Sequence, residues 1–363
     1  MTAILLTFLG FCALIVLHEA GHFGAAKLVG MRVERFSLFF GRPLARVRRG
    51  ETEYAVGWIP AGGYVRITGM NPHEEIPPAV AHRAYYRQPV WKRIVVIAAG
   101  PAVNVVLAFL IIWALLFANG RVSDTYVVSD RDLGQPAARY LEPGDRIVSV
   151  DGVPGPPDRI ARQVATHRCP GQQVDGCVAR TAATVVVDRD GRRLTFRIRP
   201  RYDATRGIER TRLGFSYAYG REDVGVLEAA RLSVAGMWEV TTVTISTFAK
   251  IFNEREREQL SGVVGTSEVL RQSFAYSTTL ALQILALISL SLAIINLFPF
   301  LPLDGGHIFW AVIEKLRGRP VPFSVMEKAG AVGFVLVILL FAIGLSNDLE
   351  RIRDGTLSEI TRR

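Results

Sequence analysis

Apolar residues along this chain are clumped rather than scattered. Four stretches carry no formal charge: Ala3–Leu17, Ile94 to just before Arg121, Phe274–Leu303 and Ala329–Asn347. The last three are long enough for the ~20-residue helix that crosses a ~30 Å hydrocarbon core. The first reaches that length only by continuing through His18, Glu19 and His22. The pattern therefore predicts spanning helices over 1–26, 94–120, 274–304 and 329–347. Residues 27–93 alternate in short runs (Arg32–Phe40, Ala45–Arg48, Thr52–Trp58, Tyr64–Thr68) broken by Gly41, Pro43, Gly50, Pro60, Gly62 and Gly63, which reads as strands and hairpins. The runs FSLFFG and YAVGWIPAGGYV are apolar enough to dip into a bilayer, where protein must cover their peptide groups. Residues 121–205 predict a compact mixed domain, with β-like runs, Asp-Gly turns at 151–152 and 190–191, and short helices at Pro136–Tyr140 and Pro157–Thr166. An amphipathic connector follows over 206–273, whose NEREREQ run (253–259) reads as a solvated helix face. A loop over 305–328 and a tail over 348–363 complete the chain.

Half of the 363 residues are hydrophobic and 21% are charged, with a mean hydropathy of +0.25. That excludes a disordered chain and an ordinary soluble enzyme. The net charge of +10 could suggest nucleic acid, but its distribution argues otherwise. Residues 27–93 hold 12 Lys/Arg against 5 Asp/Glu, whereas 121–271 hold 23 against 20. Excess Lys/Arg beside spans marks the cytoplasmic side. Residues 27–93 and 305–328 (Lys315, Arg317, Arg319, Lys328) are thus expected inside, and 121–271 and both termini outside. Arg351, Arg353, Arg362 and Arg363 in the tail run against that pattern. The first span lacks a basic leading region and a cleavage site, so it reads as a retained helix. The fold class expected is a polytopic α-helical membrane protein with about four spans, a membrane-associated β-hairpin region and one extracytoplasmic α/β domain. Cys169 and Cys177 open and close the run CPGQQVDGC in the segment placed outside, where disulfides persist, and are expected to pair, two unpaired thiols being the alternative. Cys12 lies within the first span.

The chemistry concentrates in His18-Glu19-Ala20-Gly21-His22, an H-E-x-x-H pattern. On a helix, residues four apart lie about 40° apart around the axis, so both imidazoles face one side. That offers two nitrogen ligands to zinc, with Glu19 beside the open coordination position. Ionisable groups interrupting an apolar helix are costly and usually functional; the plain alternative is a helix that ends at Leu17 with a polar cap. His73, His82 and His167 carry only an ordinary structural reading. A catalytic zinc needs a third protein ligand. Asp304, in LPLDGGHI, is the only acidic residue between Glu268 and Glu314. It could equally cap the helix that follows, and His307 competes for the ligand role.

These residues together resemble the site-2 protease family of intramembrane zinc metalloproteases, in its bacterial PDZ-containing form. The H-E-x-x-H of the first span and Leu303-Asp304-Gly305 of the third are that family's paired signatures. Gly100-Pro101-Ala102-Val103-Asn104 matches its G-P-x-x-N element. Ile59-Pro60-Ala61-Gly62-Gly63-Tyr64-Val65 is similar to its membrane-embedded hairpin, and Ser261-Gly262-Val263-Val264-Gly265 to a segment before the third span. Asn296 and Pro299 match its N-x-x-P, while Pro302 stands one residue from the commonest spacing. Gln135-Pro136-Ala137-Ala138, Leu141 to Ile147 and Val150-Asp151-Gly152 resemble a bacterial PDZ domain.

The resemblance implies Zn2+ held by His18, His22 and Asp304, with Glu19 as general base. Substrate contacts are expected at Gly62, Gly63 and Tyr64 of the hairpin and at Asn296, for which an interhelical hydrogen bond is the alternative. Pro101 and Asn104 read first as helix kink and packing, with an indirect role in shaping the site. The substrates would be membrane-anchored proteins with a transmembrane helix, such as anti-sigma factors or signal-peptide remnants. The PDZ domain would hold a peptide or act as a filter, and no nucleic acid is involved. The location implied is the bacterial inner membrane, with the active site near the cytoplasmic face. Two other classes remain. A catalytically silent PDZ-bearing scaffold would not need Glu19. A zinc transporter should place polar groups in several spans, yet Ala329–Asn347 carries no ionisable residue.

Overall fold

The computed structural model describes residues 1–71, 74–129, 133–205, 208–250, 253, 257 and 260–354. His73, most of the NEREREQ run, and Arg362 and Arg363 lie outside the described residues. The chain divides into two units, Met1–Leu115 with Val226–Arg363, and Leu116–Gly225.

In the first unit, helices α1 (Thr2–Leu28), α2 (Val90–Asn119), α6 (Thr278–Asn296) and α8 (Phe323–Arg353) are each long and apolar enough to cross a membrane. Only 17% of the most apolar window of α1 and 11% of that of α8 is buried. Such wide apolar exteriors suit hydrocarbon rather than water. Helix α1 continues without a break through His18, Glu19 and His22. Helix α6, by contrast, stops at Asn296, short of the expected 304. Pro299 and Pro302 have no N–H to continue a helical ladder. The chain turns instead, and Asp304 opens a new helix, α7 (Asp304–Arg317). A Cβ on Gly305 would lie 2.1 Å from the Leu297 carbonyl oxygen, so glycine alone allows α7 to press on the turn. Arg93 of α2 also holds α7, through Glu314, at 3.0 and 2.5 Å.

Two further helices of this unit, α4 (Val226–Ala249) and α5 (Val263–Tyr276), occupy the stretch expected to be helix-biased. On α4, Ala229, Ser233 and Met237 are buried at a spacing of four, and Met237 packs against Ala108, Ala286 and Leu290. The start of α5 is capped from a distant element. Fully buried Asp348 on α8 accepts the backbone N–H groups of Gly262 (3.0 Å) and Gly265 (2.8 Å). Ile4 and Phe8 share a groove with Val263, Val264 and Ile352. The first turns of α1 and α5 and the last turns of α8 therefore stand at one end of the unit.

The expected short runs of 27–93 merge into two long antiparallel strands, β1 (Val33–Arg49) and β2 (Thr52–Ile67). Both fold back, so Phe36 lies opposite Val65 and also opposite Tyr54. Gly62, at φ 131°, supplies the bend in β2 that few other residues could adopt. The base of this sheet packs through Val33 and Ile67 onto Ala26, Met31, Tyr85 and Val96. Glu51 at the β1–β2 turn accepts hydrogen bonds from Arg83 (2.7 and 2.8 Å) and Lys27 (2.6 Å). Arg83 first, then Lys27, holds its carboxyl down to about 2.

The second unit is built on a sheet of order β10-β3-β4-β6-β7, with β5 paired to β4. The strands are β3 (Arg121–Val128), β4 (Arg146–Val150), β5 (Val153–Pro154), β6 (Ala183–Arg189), β7 (Arg192–Ile198) and β10 (Tyr217–Glu222). Beside it lie a small ladder of β8 (Arg201–Asp203) and β9 (Arg210–Arg212), and helix α3 (Pro157–Val164). Strand β10 falls beyond residue 205, yet pairs with β3 along its length. Asp190 and Gly191, at φ 51° and 77°, form the two-residue turn between β6 and β7, the type that right-twisted hairpins favour. Ile147, Val150, Ile160, Val185, Val187 and Ile198 fill the core. The expected helix at 136–140 is a single 3-10 turn, Ala137–Arg139. The Cys169 and Cys177 sulfurs are bonded, with Cα atoms 6.2 Å apart. Buried His167 is held structurally, Nε2 to Asp151 at 2.7 Å and Nδ1 to Thr181 at 2.7 Å. Burial alone pushes the Asp151 carboxyl up, but the Thr184 N–H, His167 and Gln163 hold it below the usual range.

Candidate functional site

His18 and His22 project from one face of α1, as their spacing requires, and both are buried. Their Nε2 atoms stand 3.2 Å apart. Asp304, at the first turn of α7, brings Oδ2 to 3.3 Å from each of them. Three acceptor atoms so close repel one another unless something positive lies between them. Asp304 Oδ2 is moreover buried without a hydrogen-bond partner. A tetrahedral ion with bonds of ~2.0 Å has ligand–ligand edges of about 3.3 Å, the size of this triangle. The donor set therefore fits zinc, with a fourth position open.

The two imidazoles are held from behind by α2. His22 Nδ1 lies 2.9 Å from the Val96 carbonyl oxygen, which leaves Nε2 free as the ligand atom. Gly100 explains how α2 comes so close: a Cβ there would lie 2.2 Å from His22 Nε2. Asn104, one turn further, is fully buried and meets His18 Nδ1 at 3.2 Å. Its backbone carbonyl accepts from Ser289 Oγ at 2.9 Å, tying α2 to α6. Gly100 and Asn104 thus touch the candidate ligands themselves, a direct contact where only an indirect role was expected of Asn104 and none was assigned to Gly100. The signal available was the matched spacing of four in the two motifs.

Glu19 is half-buried beside the triangle. A cavity of about 380 Å³ opens here, lined by His18, Glu19, His22 and Asp304, together with Gly62, Gly63, Tyr64, Asn296 and His307. All the expected substrate-contact residues therefore share one cavity with the candidate ligands. Glycine at 63 lets β2 lie against α1, since a Cβ there would touch Glu19 Cγ at 3.0 Å. Tyr64 stacks on Phe40 at 5.6 Å and accepts from Arg35 at 3.2 Å. His307 lines the cavity but is not part of the three-donor cluster.

A helical membrane protein with a His-His-Asp triangle and an adjacent glutamate has the composition of a membrane metallopeptidase. Residues 6–340 match peptidase family M50, and the chain belongs to that family. It is 29% identical to a Brucella suis protein provisionally named a zinc metalloprotease, covering 92% of both chains. It is 28% identical to protease RseP of Yersinia pestis and 26% identical to regulator of sigma-E protease RseP of Salmonella typhimurium. Each of those two alignments covers 93% of this chain and 96% of the relative. The chain is a zinc metalloprotease of the site-2 protease type.

Proposed function

We propose that this protease hydrolyses peptide bonds inside the membrane-spanning segments of membrane-anchored proteins. The observation that carries the reading is the 3.2–3.3 Å donor triangle opening on a cavity among spanning helices. His18, His22 and Asp304 would hold the ion, and bound zinc would polarise a carbonyl and make water acidic near neutral pH. Glu19 takes a proton from the attacking water and passes it to the leaving amine. A substrate helix hides its carbonyls in its own hydrogen bonds and must unwind before attack. Unwound peptide in hydrocarbon needs new partners, and β2 at Gly62–Tyr64 offers them by strand pairing. Asn296, which lines the same cavity, holds a substrate carbonyl or amide.

The basic 27–93 segment favours an active site near the cytoplasmic face of a bacterial inner membrane, with Leu116–Gly225 outside as a PDZ domain. The shared end of α1, α5 and α8 supports placing the start of α1 and the end of α8 on one side. Within the second unit, a groove between α3 and β9, lined by Ile160, Val164 and Leu213, suits capture of an extended chain end. The silent-scaffold alternative predicts a dispensable Glu19. Glu19→Gln should keep zinc and fold while cleavage of a model transmembrane substrate falls by a factor of ~10² or more. Near-normal cleavage would overturn the mechanism. In the same assay Asp304→Asn should lose zinc and activity together, while His307→Ala keeps most of its zinc; the reverse result would make Asp304 a helix cap.

A further inference from the structure

An imidazole that binds a metal through Nε2 carries its proton on Nδ1 and needs an acceptor there. His22 has one in the Val96 carbonyl. His18 Nδ1 instead faces the amide nitrogen of Asn104, at 3.2 Å. With His18 in the ligand tautomer, that arrangement sets one N–H donor against another. At the same time Asn104 Oδ1 is buried without a hydrogen-bond partner. A half-turn of the amide exchanges nitrogen and oxygen within the same volume, an ambiguity inherent to asparagine. The orphaned acceptor then meets the donor that lacks one.

We infer that Asn104 is a positioning residue for the metal site, holding His18 in its Nδ1–H tautomer through Oδ1 so that Nε2 stays free for the ion. The inference rests on the zinc reading above and adds a residue that touches neither ion nor substrate. The two helices match rung for rung. Gly100 gives His22 its room, and one turn along Asn104 gives His18 its acceptor. Ser289, bonded to the Asn104 carbonyl, fixes that rung against α6.

The test is zinc affinity by chelator competition on the detergent-solubilised full chain, for wild type, Asn104→Leu, Asn104→Asp and His18→Ala. Partners of this kind are typically worth about 10–100-fold in metal affinity, so Asn104→Leu should bind that much more weakly. Asn104→Asp keeps the shape and the acceptor but loses the donor, and should stay within about threefold of wild type. A merely structural amide would not be rescued in this way. An Asp variant as weak as the Leu variant overturns the proposal, as does a Leu variant that binds like wild type. Melting of the zinc-stripped proteins guards the comparison. A stripped Asp variant that no longer folds also counts against the proposal, because an acceptor of the right shape would then not suffice. If wild type and His18→Ala bind zinc equally, it is the metal site itself that fails, a result distinct from failure at Asn104.

Discussion

At the scale of single residues, the site depends as much on side chains that are absent as on those present. Gly100 faces the His22 ring so closely that one methyl group would overlap Nε2. The ring cannot retreat without leaving both the Val96 carbonyl and the donor triangle. Gly100→Ala should therefore weaken zinc binding by about tenfold or more, the range seen when support behind a metal-binding histidine is lost. Zinc stoichiometry after dialysis against a mild chelator checks this, and full retention would show that the ring has another place to go. The H-E-x-x-H pattern was legible in the sequence because helical spacing is local: positions four apart share a face whatever surrounds them. The partnership of Gly100 with His22 was not, because it exists only once α1 and α2 are pressed together.

At the scale of elements, proline and buried charge decide where helices stop and start. The apolar run that predicts a helix to residue 304 contains Pro299 and Pro302, and the turn they force puts Asp304 at the first turn of α7. Hydropathy alone cannot see that break, since every residue of the turn before Asp304 is apolar or proline. The start of α5 shows the same kind of non-local control. Asp348 supplies a cap from 83 residues away, accepting the N–H of Gly265 as well as that of Gly262. Asp348→Ala should cost about 1–3 kcal/mol, the penalty for leaving buried donors unsatisfied. A melting temperature unchanged from wild type would refute that. The β1–β2 turn gives a pH prediction. Glu51 has a folded value near 2, well below the usual ~4.3 of a glutamate. A depressed value means stabilisation that is complete above the unfolded value and lost as pH falls from about 4.3 toward 2. Thermal melts in this acid range should decline less steeply for Glu51→Gln than for wild type. The difference is expected to be small, about 1 kcal/mol or less, because these ion pairs are partly exposed.

At the scale of the whole molecule, the charge pattern and the cysteines make one joint statement about compartment. If Leu116–Gly225 lies outside, Cys169 and Cys177 in native membranes should resist alkylation until reduced, while Cys12 gives no reduction-dependent change. Free thiols at 169 and 177 would count against both the oxidising location and the pairing. What the sequence by itself determined is whatever depends on neighbours along the chain. That covers the four apolar helices, the histidine-bearing face of α1, the Asp-Gly turns of the second unit and the membership in a family defined by ordered motifs. Tertiary structure alone decided what depends on distant segments meeting. It drew β10 back to pair with β3, folded β1 and β2 over α1 beside Glu19, and carried Asp304 to within 3.3 Å of two imidazoles more than 280 residues earlier in the chain. The physical reason is range. Helical periodicity and turn chemistry act over a few residues, whereas this donor triangle needs α1 and α7 packed to a fraction of an ångström with α2 behind the imidazoles, and that precision comes from glycine contacts and buried polar ties that no local pattern encodes.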